Sequence, residues 1–324
     1  MRPDIITVAN LVKQFTLPRT FRSALRIRAV NNVSFSISRG ETFGLVGESG
    51  SGKSTLGRTI LRLYEPDAGT IQYNGADITK LQGQRLAPYR QQMQMILQDP
   101  YSALNPAMQV RDIIAEPLGL REKRSPAEQD ELVKLMLKEV GLQERDLHKY
   151  PHEFSGGQRQ RIGIARALIV HPEFVLCDEP ISALDVSIQA QVVNLLEDLQ
   201  QEYGLTYLFV AHDLSMARYI SHRIAVMYRG ELVEIAESKE LYGHPLHPYT
   251  QMLLASILIP DPKQSRTRPL LAEAVEAADA SGTSPQGCAF FLRCPRRAPS
   301  CREESPGLAV IGKDHSVACF RAGD

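Results

Sequence analysis

The chain carries no excess of charge. Lysine plus arginine and aspartate plus glutamate each number 37 across 324 residues, which removes any bulk electrostatic case for nucleic acid or an anionic lipid surface as partner. No apolar run approaches the roughly 20 residues needed to span a bilayer, and the start, Met1 to Ile6, lacks the apolar core of a signal peptide. A cytosolic protein is the expectation, free to sit on a membrane protein without entering the membrane. Cysteine is scarce: the chain has five, expected in that compartment as thiols or metal ligands rather than disulfides. Apolar content is ample, 43% against 23% charged, enough for one large domain with an appendage or for two domains.

The rest of the chain is organised around Gly47, Glu48, Ser49, Gly50, Ser51, Gly52, Lys53, Ser54 and Thr55. This stretch reads G-x-x-x-x-G-K-[ST]. An apolar segment of strand character, Glu41 to Val46, leads in, and Leu56 to Leu63 reads as helix, the context a phosphate-cradling loop requires. Glycines let the backbone turn its N–H groups inward as an anion nest at a helix N-terminus. Lys53 adds a positive charge for the β- and γ-phosphates, and the Ser54 hydroxyl can ligate Mg²⁺.

Upstream, Ile5 to Phe15 and Asn32 to Ile37 alternate like strands. Between them, Leu17 to Arg28 carries four arginines with little apolar patterning and reads as a solvated loop. Phe15 suits either a nucleobase stack or the core. Gly69 to Tyr73 and Met93 to Leu97 read as further strands, the second ending at Gln98, Asp99 and Pro100. Helical periodicity then runs from Val110 to about Leu147, clearest over Ala127 to Val140, an insert without strand signals.

Two more stretches carry chemistry. Phe154, Ser155, Gly156, Gly157 and Gln158 open a helix rich in Ile, Ala and Leu. A simple cap needs only the serine, so the two glycines imply that something approaches the backbone closely. Phe174 to Cys177 is an apolar run delivering Asp178 and Glu179 to a strand end, where an open α/β sheet places its chemistry. Asp178 suits a Mg²⁺-bound water, and Glu179 suits orienting or deprotonating an attacking water. Ser182 to Asp185 follows, then a helix over Ser187 to Gln201. The buried strand Thr206 to Ala211 ends at His212, facing the same edge as Glu179.

These stretches, in this order over residues 5–255, resemble the ATP-binding-cassette (ABC) ATPase subunits. The resemblance implies an α/β P-loop NTPase of the ABC-ATPase fold: a RecA-like α/β core, an antiparallel β-subdomain and an α-helical subdomain at about 100–165. Gly47 to Ser54 matches the Walker A loop, and Gln98 matches the glutamine loop that ligates Mg²⁺ and touches the transporter. Phe154 to Gln158 matches the signature motif, with Phe where the family usually has Leu. Phe174 to Asp178 matches Walker B with Glu179 as catalytic carboxylate, Ser182 to Asp185 the D-loop, and His212 the switch histidine. Phe15 falls at the adenine-stacking position. The family implies ATP and Mg²⁺ as ligands. It also implies a head-to-tail ATPase pair in which each nucleotide lies between one chain's Walker A loop and the other's signature motif.

The tail narrows the resemblance. His244 to Thr250, containing His-Pro-Tyr, precedes a short apolar helix, and residues 260–285 read as a linker rich in Pro, Ala, Ser and acid. Cys288, Cys294, Cys301 and Cys319 follow with spacing C-x5-C-x6-C-x17-C, unlike a paired C-x2-C zinc ribbon. Four thiolates can hold tetrahedral Zn²⁺ or an iron–sulfur cluster, or remain unligated. His315 is a further candidate, read as structural support because four cysteines already complete a site. The whole C-terminal portion, 235–324 with its Cys-rich end at 286–320, is similar to the extension of the oligopeptide/dipeptide importer ATPases. That resemblance favours a [4Fe–4S] cluster, with Zn²⁺ as the alternative. It also implies two integral-membrane permeases, a second, related ATPase subunit and, indirectly, an extracytoplasmic solute-binding protein, at the cytoplasmic face of the plasma membrane. The same architecture serves nickel, glutathione, oligosaccharide and antimicrobial-peptide systems. A soluble ABC protein acting on nucleic acid or ribosomes is a different class. Neutral charge, a single cassette and the absence of a long coiled-coil insertion stand against it.

Overall fold

Alternation in the N-terminal segment becomes a long hairpin. In the computed structural model, which describes residues 3–17, 25–120, 125–256, 287–312 and 314–322, strand β1 (Asp4–Leu17) pairs antiparallel with β2 (Leu25–Ser38). The loop reading of 17–28 is corrected here: Arg26, Ile27 and Arg28 pair with Thr16, Phe15 and Gln14. Backbone ladder bonds hold this tip, and the side chains of Arg26, Ile27 and Arg28 stay exposed, so it shows none of the apolar alternation that marks a half-buried strand. Arg19 and Arg22 lie outside the described residues. After β3 (Thr42–Val46), helix α1 (Lys53–Ile60), β4 (Ala68–Tyr73) and the two-residue β5 (Ala76–Asp77), the first sheet is complete in the order β2-β1-β4-β5.

A short helix, α2 (Ala87–Gln92), leads into β6 (Met93–Ile96). The helical insert follows as α3 (Pro100–Ala103), α4 (Val110–Ala115), α5 (Pro126–Glu139) and α6 (Gly156–Leu168). α5 starts where local chemistry dictates: Ser125 and Glu128 form a reciprocal capping box, with Pro126 at the first helical position. Then come β7 (Phe174–Asp178), α7 (Val186–Tyr203), β8 (Thr206–Ala211), α8 (Leu214–Ile220), β9 (Arg223–Tyr228), β10 (Glu231–Glu237), α9 (Ser238–Gly243) and α10 (Pro248–Ala255). Beyond the stretch proposed as a linker, which lies outside the described residues, β11 (Ala309–Gly312) and β12 (His315–Val317) form a hairpin.

The second sheet runs β11-β12-β10-β9-β3-β8-β7-β6. Its five strands from β9 to β6 are parallel, and β10, β12 and β11 add antiparallel at one edge. β3, β7 and β8 are buried at every position, which explains their nearly continuous apolar runs. Along β7, Val175 and Cys177 face one core, shared with the helical insert; Phe174 and Leu176 face the other, shared with the antiparallel sheet and α1. β8 divides likewise, with Tyr207 and Phe209 on one side and Leu208 and Val210 on the other. At about 1.5–3 kcal/mol for each large side chain buried, these two cores hold the strand ends of the parallel sheet at fixed spacing.

One polar knot joins the C-terminal portion to this sheet. Glu234 of β10 is fully buried, and its carboxylate accepts the N–H groups of Leu246 (2.7 Å) and His247 (3.0 Å) and pairs with His315 Nε2 (2.8 Å). His315, read from the sequence as structural support, makes its close contact with Glu234. His247 in turn caps α10, its Nδ1 accepting the Tyr249 N–H at 3.0 Å. Removing the carboxylate strands a buried imidazole and two backbone donors. Glu234→Ala is therefore expected to lower stability by about 3–5 kcal/mol, measured by urea unfolding. A loss below about 1 kcal/mol would show that the knot contributes no more than a surface pair.

Candidate nucleotide site

The loop from Gly47 to Thr55 joins the C-terminal end of β3 to the start of α1, between two neighbouring parallel strands. Its glycines meet physical demands. Gly47 has φ +153 and Gly52 φ +106, and an added Cβ would collide with the carbonyl of Met227 at the first and of Ala29 at the second. β9 and β2 thus press the loop from two sides, leaving room only for hydrogen at those positions. Gly50 also has positive φ (+78), but open space lies beyond it. The buried Ser51 hydroxyl has no hydrogen-bond partner among the described residues.

Lys53 is buried, and its Nζ donates to the carbonyls of Gly47 (2.8 Å) and Glu48 (2.9 Å). Burial lowers its pKa, while the charges of Glu179, Asp178 and Glu48 oppose that shift. Ser54 Oγ donates to Asp178 Oδ1 at 2.7 Å, and Arg58 pairs with Asp178 Oδ2 at 3.1 Å. Asp178 is fully buried at the end of β7, so these partners from α1 satisfy both of its oxygens.

Glu179, the next residue, sits in the left-handed region at φ +48. That conformation is costly for a non-glycine residue and clusters at functional sites. Its N–H donates to Val210 O (3.1 Å) in β8, so the turn is held from the neighbouring strand. The Glu179 carboxylate accepts Gln98 Nε2 at 2.7 Å and lies 3.5 Å from His212 Nδ1. The ends of β6, β7 and β8 thereby bring Gln98, Glu179 and His212 into one cluster, beside the Ser54–Asp178 contact. Two carboxylates, a hydroxyl, an ammonium group and a glycine cradle with an open side fit a magnesium-bound triphosphate.

The Ser155–Gln158 stretch lies elsewhere. Ser155 Oγ accepts the Gln158 N–H (3.4 Å) and Gln158 Oε1 accepts the Ser155 N–H (3.0 Å), a capping box opening α6. Both residues are exposed. Among the described residues no hydrogen bond or ion pair joins this stretch to 47–55. The close neighbour that the glycines implied comes from the chain itself at Gly157, where an added Cβ would lie 2.5 Å from Ile188 of α7. Phe154, where the family usually has Leu, is a buried core residue. Asp185 is exposed at the start of α7, and its loop is braced by Gln189 Nε2 donating to Ile181 and Leu184 carbonyls (3.1 and 3.0 Å). Phe15 is half-buried, edge-on to Tyr64 at 5.5 Å on the turn that leaves α1.

The four C-terminal cysteines line one small pocket, with Cys288 N–H donating to Cys301 O at 2.8 Å. Burial raises the thiol pKa of Cys294 and Cys319 and pushes that of Cys288 up to about 11, neighbouring thiolates adding to the effect. Among the described residues, no three His, Cys, Asp or Glu side chains are arranged to hold a metal ion. The thiols converge on one pocket without forming a ready ligand set. Cys177 is fully buried in β7 and packs as a small apolar residue.

Sequence reasoning missed two side chains that touch the loop. Tyr249 OH accepts the Glu48 N–H at 2.9 Å, and Arg293 makes a two-point pair with the Glu48 carboxylate, both contacts at 2.8 Å. Each lies some 200 residues or more from its partner in sequence, and no local pattern marks the pairing.

Residues 30–182 match the family described as ABC transporter, and residues 233–301 match the oligopeptide/dipeptide transporter C-terminal region. The oligopeptide transport ATP-binding protein AppF of Bacillus subtilis is 49% identical over 294 residues, covering 90% of this chain and 89% of that protein. The oligopeptide transport ATP-binding protein OppF of Streptococcus mutans is 57% identical over 258 residues, covering 79% and 84%. Among solved structures, the dimeric post-hydrolysis state of the ATP-binding cassette MJ0796 bound to ADP and Pi aligns with TM-score 0.65. Its identity is 30% over 72% of this chain and 98% of that one. The chain cbiO1 from Clostridium perfringens, part of the ABC transporter complex cbiONQ, aligns at 0.64 with 25% identity over 74% and 91%. Matching cassette, matching C-terminal region and near full-length identity agree: this chain belongs to the ABC-transporter ATP-binding subunits, a family of ATPases, in the branch that carries the oligopeptide/dipeptide transporter C-terminal region.

Proposed function

We propose that this chain is the ATP-hydrolysing subunit of an ABC importer for di- and oligopeptides. It works as a head-to-tail pair with a second, related ATPase subunit beneath two membrane permeases that an extracytoplasmic binding protein supplies. The observation that carries the peptide reading is the C-terminal region, matched at 233–301 and docked on the phosphate loop through Tyr249. The Bacillus subtilis relative named for oligopeptide transport is similar over 90% of the chain, so the likeness takes in part of this region as well as the cassette. Among the described residues no helix is long and apolar enough to cross a membrane, and we place the chain peripherally at the cytoplasmic face. We take 5–255 as the ATPase domain, with its helical subdomain at about 100–165, and 235–324 as the extension.

In this reading the backbone N–H groups of Gly50 to Thr55 and Lys53 Nζ bind the β- and γ-phosphates, with Phe15 against the adenine. Ser54, Gln98 and Asp178 would hold Mg²⁺, which supplies charge neutralisation at the phosphate oxygens. Glu179 orients a water and takes its proton as the water oxygen bonds to the γ-phosphorus and the bond to the leaving ADP oxygen breaks. His212, 3.5 Å from Glu179, turns to the γ-phosphate. The exposed Ser155–Gln158 cap and Asp185 face the second subunit, each nucleotide being sandwiched between one chain's loop and the other's cap. Loss of the γ-phosphate removes the bridge, and the pair opens.

A cell lacking this chain is expected to lose uptake of a labelled tripeptide, restored by the wild type and not by Glu179→Gln. The same variant is expected to hold ATP and keep the ATPase pair closed on size-exclusion chromatography, with turnover reduced about 100-fold or more. Wild-type turnover in Glu179→Gln would overturn the catalytic assignment, and undiminished peptide uptake in the deletion strain would overturn the substrate. For the four cysteines we propose a [4Fe–4S] cluster, supported by their convergence on one pocket. Protein purified anaerobically is expected to show the visible absorption of such a cluster, lost in Cys288→Ser. Colourless protein with stoichiometric zinc, or with no metal, would contradict it.

A further inference from the structure

Glu48 is an awkward residue for a phosphate loop. A carboxylate in the second position of an anion cradle repels the triphosphate that the cradle binds, and its field already reaches Lys53. The structure answers that charge from the far end of the chain. Arg293, in the Cys-rich extension, places NH1 and NH2 each 2.8 Å from the two Glu48 oxygens. A planar fork on a carboxylate is the strongest and most directional ion pair available to side chains.

The pair is built in rather than draped over the surface. The Arg293 side chain is only 12% exposed, and its guanidinium lies against the rings of Tyr228 (5.6 Å) and Phe290 (5.8 Å). Those two rings pack with Tyr249, at 4.6 Å for Tyr228 and 5.5 Å for Phe290. Tyr249 OH accepts the Glu48 N–H. Every polar group of Glu48 is thus engaged: its N–H by Tyr249, its carboxylate by Arg293, and its carbonyl by Lys53 Nζ at 2.9 Å. The turn that aims the lysine is held on its outer side by the C-terminal portion.

We infer that Arg293 is a positioning residue for nucleotide binding: it cancels the Glu48 charge at the mouth of the phosphate cradle and fixes the turn whose carbonyls hold Lys53. This inference rests on the nucleotide-binding reading of the loop. It extends that reading by making the C-terminal extension part of the nucleotide site, acting in cis and without touching the phosphates.

The test uses the full-length chain, Mg²⁺ and a fluorescent ATP analogue for Kd, with ATPase kinetics alongside. Arg293→Ala is expected to raise Kd and KM about tenfold while kcat stays within about twofold. Adding Glu48→Gln to Arg293→Ala removes the stranded carboxylate and is expected to bring KM back to within about threefold of wild type. A residue that merely packs on Tyr228 and Phe290 gives no such rescue. If Arg293→Ala does not fold by circular dichroism, Arg293→Gln keeps most of the stem's packing and carries the same comparison. The inference is overturned if the single variant binds nucleotide like the wild type, if the double variant is no better than the single, or if kcat falls with KM unchanged. Wild-type protein that binds no nucleotide would overturn the reading beneath it, and this inference with it.

Discussion

A carboxylate with no access to water must be paired where it stands. Asp178 is such a group, fully buried at the end of the central strand β7. Its two oxygens are taken by Ser54 and Arg58, both from α1. This contact ties the helix that begins in the phosphate loop to the strand that leads into Glu179. It also sets the register between the two halves of the site, since Glu179 follows Asp178 directly and Lys53 precedes Ser54. The parallel pairing of β7 and β8, with Asp178 opposite Val210, then carries His212 to within 3.5 Å of Glu179. The left-handed backbone at Glu179 is the local strain this arrangement accepts in order to turn the carboxylate back toward the edge of the sheet.

The second theme is how the C-terminal portion joins the cassette. Glu234 gathers His315, Leu246 and His247. His247 caps the helix bearing Tyr249, and Tyr249 and Arg293 meet Glu48. A continuous path of buried polar contacts and packed rings therefore runs from the edge hairpin β11–β12 to the phosphate loop. The extension packs on the core that also contains the helical insert, with Phe290 buried in it and Cys288 and Cys294 against it. What sequence inspection treats as an appendage is, in three dimensions, a brace on the outer side of the phosphate loop.

Much of this was legible in the residues. Runs such as Phe174 to Asp178 and Thr206 to Ala211 are strands with those bounds, because strands buried on both faces are apolar at every position. The cradle, the strand-end acids and His212 were readable because their chemistry is written within a few consecutive positions. The strand tip at 25–28 was not, since a solvated hairpin end is held by backbone bonds that leave no side-chain period. The role of Gly157 was half visible: glycine announces a close neighbour but cannot name Ile188. Arg293 and Tyr249 were invisible as site residues because their meaning lies in a pairing across some 200 positions or more. The four cysteines show the opposite limit. Their spacing pointed to a ligand set, whereas the fold gathers them around one pocket without an arrangement ready to hold a metal.

The central claim is that this ATPase powers a peptide importer by docking on membrane permeases. Its most direct test is capture of the tagged chain from detergent-solubilised native membranes, with partners identified by mass spectrometry. The account predicts two polytopic permeases and a second, related ATPase subunit in the captured complex. Recovery of ribosomal or DNA-repair proteins from the soluble fraction, with no permease, would contradict it and leave only the ATPase.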